Sequence, residues 1–222
     1  MHALRNSSDK LKQAAGELAI LKAAEKLFAQ QGYDGVSMRG IALEAGVSKA
    51  NIYHHFESKE SLYLAILKSS TAETAQLIER LAGSEGRFEE RLVEFAKAHL
   101  EHLFHRKNAA KVILHEAFSG DVDSSRKLSE EVFGRIYHRM TEIMQAGQDT
   151  GVLRKDLDPA LCVILLMGAN AFYFQAQEIL QHFPEAESVR QADQFSAGMS
   201  NVLLNGMLDQ QTTKKQTGGG RS

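Results

Sequence analysis

One cysteine, no tryptophan and two prolines in 222 residues set the first limits on this protein. A single thiol, Cys162, cannot close an intramolecular disulfide, which excludes a disulfide-stapled secreted scaffold and fits a reducing compartment. Proline breaks helix interiors and punctuates the turns of β-rich folds. Its scarcity, with frequent Ala, Leu, Glu, Gln and Lys, predicts an almost wholly helical chain. The most apolar run, 160–174, is interrupted by Gly168 and Asn170 and falls short of the ~20 residues a bilayer span needs, so it reads as a buried helix and no membrane partner is expected. Arg5, Lys10 and Lys12 are followed by no apolar stretch, so a cleaved secretory signal is not supported and the expected location is cytoplasmic.

What is present is an ordinary globular composition, 43% hydrophobic and 24% charged, in a chain long enough to bury about 70% of its unfolded surface. Net charge is −2. Residues 1–68 hold nine Lys/Arg against seven Asp/Glu, leaving the rest of the chain at −4, an asymmetry too small to indicate nucleic acid by charge alone. Any DNA reading must rest on a motif.

Residues 1–14 read as a polar, flexible lead-in and 211–222 as a disordered tail; the glycines 218–220 follow no strand and open no helix, so they are no phosphate loop. A first helix is expected over 17–31, with Ile20, Leu21, Ala24, Leu27 and Phe28 on one face and Gly32 at its end. Ser37 is a candidate N-cap for a helix over 38–45, Gly46 fits the left-handed residue after it, and Ser48 fits the N-cap of a third helix reaching Phe56. A fourth helix starts after Ser58 and ends near 83–86. Phe88, Leu92, Phe95, His99 and Leu103 mark a fifth, a shorter apolar segment spans 112–118, and a long helix follows through Leu128, Val132, Ile136, Met140 and Met144. Asp158-Pro159 and Pro184 bracket a helix over 159–183, apolar all round in its first half, and a last one spans about 187–208.

The segment 37–56 meets the demands of a helix-turn-helix. Ile41, Ala42 and Ala45 face inward on its first helix, Gly46 makes the turn, and Val47, Ile52 and Phe56 anchor the second. The opposite face carries Lys49, Ala50, Asn51, Tyr53, His54 and His55: a cation, a small residue able to approach a thymine methyl, an amide that can pair with adenine, and a phenol for phosphate.

With Leu27-Phe28, Gly32-Tyr33, Val36-Ser37, Ile41-Ala42, Ala45 to Ser48, Ile52 to Phe56 and Ser58 to Leu62, residues 17–68 resemble the TetR family of bacterial transcriptional regulators. The second half resembles it only in helix count and in the loop 151–159. Gly40 departs from the helix-favouring residue usual there. The resemblance implies that Lys49, Ala50, Asn51 and His54 face bases, while Ser37, Arg39, Ser48, Tyr53, His55 and Lys59 hold phosphates. Lys59 also stands at a helix start, where backbone N–H groups and a cation can meet one phosphate. It further implies an all-α fold: a three-helix DNA-binding domain over 15–62, then a helical ligand-binding and dimerisation domain over 63–210.

A recognition helix this short reads few base pairs, so two copies are needed; the helices over 159–183 and 187–208 fit the family's dimer-forming pair, and the operator is expected to be a pseudo-palindrome of double-stranded DNA bound by a homodimer. The family encloses a small-molecule effector between these parts. Candidate lining residues are Phe95, His99, His102, Phe118, Phe133, Tyr137, Met140, Met167, Asn170 and Phe174, a set that suggests an apolar or aromatic effector. The expected function is a ligand-responsive regulator, most simply a repressor, with no cofactor. The alternatives are control by a protein partner, or a metal-responsive repressor using His99, His102, His105, His115, Glu116 and His138. Neither C-x-x-C nor H-E-x-x-H spacing supports the metal, and with Cys162 in an apolar helix no catalytic set suggests an enzyme.

Overall fold

The computed structural model describes the backbone of residues 2–119, 126 and 128–208, and the side chains of 13–117, 126 and 128–208. The tail expected at 211–222 and the side chain of Phe118 lie outside the described residues. Among them the structure is helical, with one isolated antiparallel bridge, Leu153 to Leu208. The chain divides into two compact units, Met1–Ser70 with Arg106–Val122, and Thr71–His105 with Asp123–Ser222.

The first unit holds α1 (His2–Gly35), α2 (Met38–Ala45), α3 (Lys49–His55), the start of α4 (Lys59–Gly83) and α6 (Lys107–Ser119). The lead-in expected at 1–14 is helical backbone from His2 onward. Once a helix is nucleated by a packed segment, adding residues costs little, and this stretch has no proline to stop it. The expected break falls at Gly32, with φ 71° and ψ 175°. Ser37 caps α2 by accepting from Gly40 N at 3.0 Å, and Ser48 caps α3 by accepting from Asn51 N at 3.1 Å. Gly46, at φ 66° and ψ 30°, takes the left-handed conformation that closes α2, and its neighbour Val47 N donates to Ala42 O. Ser58 and Ser61 cap α4 reciprocally, each backbone N–H donating to the other's Oγ at 3.0 Å. Ile20, Ala24, Phe28, Ile41, Ile52, Phe56 and Leu62 are buried here. Both α2 and α6 pack on α1, and Arg106 reaches Glu25 at 3.1 Å.

The second unit comprises the rest of α4, α5 (Phe88–His105), a π turn (Ser129–Phe133) running into α7 (Gly134–Asp149), α8 (Pro159–Leu180), a 3-10 turn (Pro184–Val189) and α9 (Ala192–Met207). The long helix expected through Leu128 to Met144 is therefore widened at its start. A Cβ at Gly134 would lie 2.5 Å from Ser129 O, so the widened turn needs a glycine there. The last expected helix, from about 187, is split into the 3-10 turn and α9. Ile78, Leu92, Phe95, Met140, Met144, Cys162 and Leu166 belong to its core. The loop after α7 is fastened from two sides: Gln148 Nε2 donates to Arg154 O and Leu157 O, and Arg154 N donates to Met207 O.

Asp158 caps α8 through Ala160 N at 2.8 Å, with Pro159 in the first turn as expected. Its own chain covers it only in part. By length and composition α8 could cross a membrane, and only 33% of its most apolar window is buried within the chain. Leu161, Ile164, Leu165, Phe172 and Ile179 are exposed along it.

Candidate nucleic-acid interface and effector region

Because Ile52 and Phe56 are buried, most of α3 is turned outward. Lys49, Ala50, Asn51, Tyr53 and His54 are all exposed, as are Ser37, Arg39 and Ser48 on and before the capped helix starts. Eight of the ten expected DNA contacts thus share accessible surface. Lys49 Nζ stands 5.6 Å from the Tyr53 ring centroid, placing cation and phenol side by side. Such a face offers charge and hydrogen bonds for phosphates, and the Asn51 amide for a base edge.

Two of the ten depart from expectation. The His55 side chain is 5% exposed, with Nδ1 4.0 Å from Glu17 Oε2, so it faces α1 rather than a phosphate. Lys59 Nζ donates to Tyr33 O at 2.8 Å and Val36 O at 3.1 Å, and lies 4.1 Å from the Tyr33 ring centroid. Its ammonium satisfies carbonyls left open after the break in α1, which uses two of its three N–H groups inside the unit. Sequence reading missed Gln13 and Glu17, which lie against the end of α3; Gln13 Nε2 is 3.5 Å from His54 Nε2. With residues 1–14 taken as lead-in, nothing signalled a helix at Gln13, and nothing in the helix expected from Glu17 marked that side chain as facing α3.

The effector candidates separate. Phe95 stacks on His99 with centroids 5.9 Å apart, and Asn170 Nδ2 donates to Ala96 O at 2.8 Å while lying 3.1 Å from His99 Nδ1. Phe95, His99, Met140, Asn170 and Phe174 are buried, and Met167 packs against the same core. Burial beside His102 pushes the His99 imidazole down to about 4. The neutral ring accepts at Nδ1, because the Asn170 amide nitrogen is fixed by Ala96 O. His102 turns instead to Glu73, 3.4 Å away. Tyr137 is a correction to the expected lining: it is 41% exposed, because it points off the outer face of α7. Phe133, half-buried, stands at the end of the π turn. A hollow of about 80 Å³ touches Phe95, and a cleft of about 700 Å³ between α4 and α7 is lined by none of the ten.

No group of three or more His, Cys, Asp or Glu gathers as a metal site among the described residues. The histidines proposed for one are occupied differently, His99 with Asn170 and His138 with Glu142 at 3.1 Å. Burial raises the Cys162 thiol above its ordinary value, which favours the neutral thiol over the nucleophilic thiolate.

Two family models match the chain: that of bacterial regulatory proteins of the tetR family over residues 20–66, and that of the tetracyclin repressor-like C-terminal domain over 85–175. The HTH-type transcriptional regulator RutR of Escherichia coli is 47% identical over 55 residues, covering 25% of this chain and 26% of that protein. The HTH-type transcriptional repressor AcnR of Corynebacterium diphtheriae is 37% identical over 59 residues, covering 27% and 31%. The chain thus aligns with less than a third of the length of either relative. In overall fold it is similar to the fatty acid degradation regulator FadR from Bacillus halodurans, with a TM-score of 0.73 at 20% identity, covering 86% of this chain and 95% of that one.

Proposed function

Because the chain belongs to the TetR family of bacterial regulatory proteins, we propose that it is a ligand-responsive transcriptional repressor that binds a pseudo-palindromic operator as a homodimer. The observation that carries this reading is the exposed face of Arg39, Lys49, Ala50, Asn51, Tyr53 and His54 on two serine-capped helices joined at Gly46. Lys49, Ala50, Asn51 and His54 read bases in this proposal, and Ser37, Arg39, Ser48 and Tyr53 hold phosphates.

Homodimerisation is supported by α8. Its exposed apolar residues recur at helical spacing, and on α9 a Cβ added at Gly198 or Gly206 would meet nothing within 4 Å. An apolar stripe beside small residues accepts a symmetry mate closely, and a second subunit rather than lipid then covers α8. The second unit carries the effector. A ligand releases DNA only by preferring the DNA-incompetent state through its own contacts.

The test is selection of bound duplexes from a random-sequence pool by the purified protein at fixed salt. The expected result is a partial palindrome with half-sites about one helical turn apart, or a multiple of it. Enrichment of single, non-repeated sites would sink the dimer, and no enrichment at any salt would sink the DNA-binding reading.

A further inference from the structure

The 700 Å³ cleft of the second unit follows from two helix faces. Ala75 and Glu79 stand one turn apart on α4, and Arg135 and Arg139 one turn apart on α7, so each helix turns one side to the gap. Ala75, Ile78 and Ile136 give it an apolar lining. Against the single carboxylate of Glu79 stand three guanidiniums, Arg80, Arg135 and Arg139.

Arg139 is already committed. Its Nε and Nη2 donate to the two carboxylate oxygens of Glu79 at 3.0 and 3.2 Å, and its Nη1 donates to Glu142 at 3.1 Å. That bidentate clamp joins α7 to α4 and uses the only acid in the lining. Arg80 and Arg135 have no side-chain partner among the described residues. Two planar donor forks beside an apolar lining match a carboxylate or phosphate attached to an apolar chain. A neutral apolar molecule would leave both forks, which are exposed, to water alone, and a small inorganic anion would leave the lining bare. The volume lies within the ~300–1,000 Å³ of ordinary ligand sites.

We propose that this cleft binds an amphiphilic anion, with Arg80 and Arg135 on its carboxylate or phosphate head and Ala75, Ile78 and Ile136 against its apolar chain. That this anion is the effector rests on the regulator reading above; that it binds does not. The aromatic set around Phe95 and His99 then serves as core, and Gln76, also on the lining, stands as a further donor to the head.

The test is calorimetric titration of the full chain with decanoate, decyl phosphate, 1-decanol and inorganic phosphate. The first two are expected to bind saturably, one per chain, and each about tenfold or more tighter than decanol or inorganic phosphate. Comparing decanoate with decyl phosphate identifies the preferred head. Arg80→Gln with Arg135→Gln lowers anion affinity by about tenfold or more while leaving decanol unchanged, and the Arg80→Lys, Arg135→Lys pair restores part of it. Melting curves check that each variant is folded. Equal affinity for decanol, no loss in the folded glutamine pair, or no saturable anion binding would each overturn the site. Operator binding by the wild-type protein is measured in parallel, with and without decanoate. Intact DNA binding without anion binding defeats the site alone, and anion binding with unaltered DNA affinity defeats the effector role alone.

Discussion

Tyr63 Oη donates a 2.8 Å hydrogen bond to Glu116 Oε2, tying α4 to α6 within the first unit. The Tyr63 ring meets Phe28 edge-on at 5.0 Å and Tyr33 at 4.9 Å, and burial followed by the Glu116 bond raises its phenol above the ordinary value. The pair is a helix-to-helix link that two packed rings hold in place. Tyr63→Phe keeps the rings and leaves a half-buried carboxylate without its donor. The expected cost is about 1–2 kcal/mol in urea unfolding, with Glu116→Gln, which keeps an acceptor, costing less. An unchanged midpoint for Tyr63→Phe would mean that water replaces the phenol freely.

On the recognition face the two classes of contact separate by their effect on sequence preference. Asn51→Ala is expected to relax preference at one base pair per half-site by about 1–3 kcal/mol, while Tyr53→Ala weakens all sequences alike. Competition binding against single-base variants of the selected operator distinguishes them. Lys59→Met lowers the melting temperature of the free protein, because Tyr33 O keeps only the 3.4 Å bond from Val36 N and Val36 O loses the ammonium it accepts from. If Lys59→Met changed only DNA affinity, the internal bonds would carry no stability.

Much of the first unit was legible because its instructions are local. Ser37, Gly46, Ser48 and Ser58 act within four residues of their own positions, and each caps or turns the chain where the sequence predicts. The roles of His55 and Lys59 were not legible, since they depend on Glu17 and Tyr33, which only the tertiary fold brings near. The second unit hides more. A Met and Phe stripe has the same spacing whether it lines a cavity or fills a core, and here Phe95, Met140 and Phe174 fill one. The cleft is lined instead by arginines whose spacing on α7 is ordinary for any solvated helix face, so nothing in the sequence set Arg135 and Arg139 apart from the other charges.

His99 makes stability depend on pH. Its imidazole takes up a proton near 6.5 in the unfolded chain but only near 4 when folded, because burial and then the neighbouring His102 disfavour the cation. Above pH 6.5 neither state is protonated and the full stability is present. Between 6.5 and 4 the unfolded chain binds a proton that the folded one excludes, so stability falls with falling pH, by at most about 1.4 kcal/mol per pH unit from this group. Urea unfolding of wild type and His99→Met from pH 7.5 to 4.5 tests this. The curves should converge as pH falls, and parallel curves would show that His99 titrates alike in both states.

The apolar face of α8 gives the sharpest test of assembly. Phe172 is 66% and Ile164 55% exposed, and burying such a side chain contributes about 1.5–3 kcal/mol. In a two-fold interface each substitution acts twice, so one carboxylate at Phe172 opposes dimerisation with both copies of the change. Phe172→Glu is therefore expected to sediment as a 24.6 kDa monomer where the wild type sediments at twice that mass, with the helical signal retained. Its operator affinity falls with it, since one recognition helix must then bind alone. Leu43 is the control: at 85% it is still more exposed, but it belongs to α2 of the first unit and not to the α8 stripe, and Leu43→Glu should leave the sedimentation unchanged. A dimer that survives Phe172→Glu, or one that Leu43→Glu dissolves, would place the interface elsewhere on the molecule.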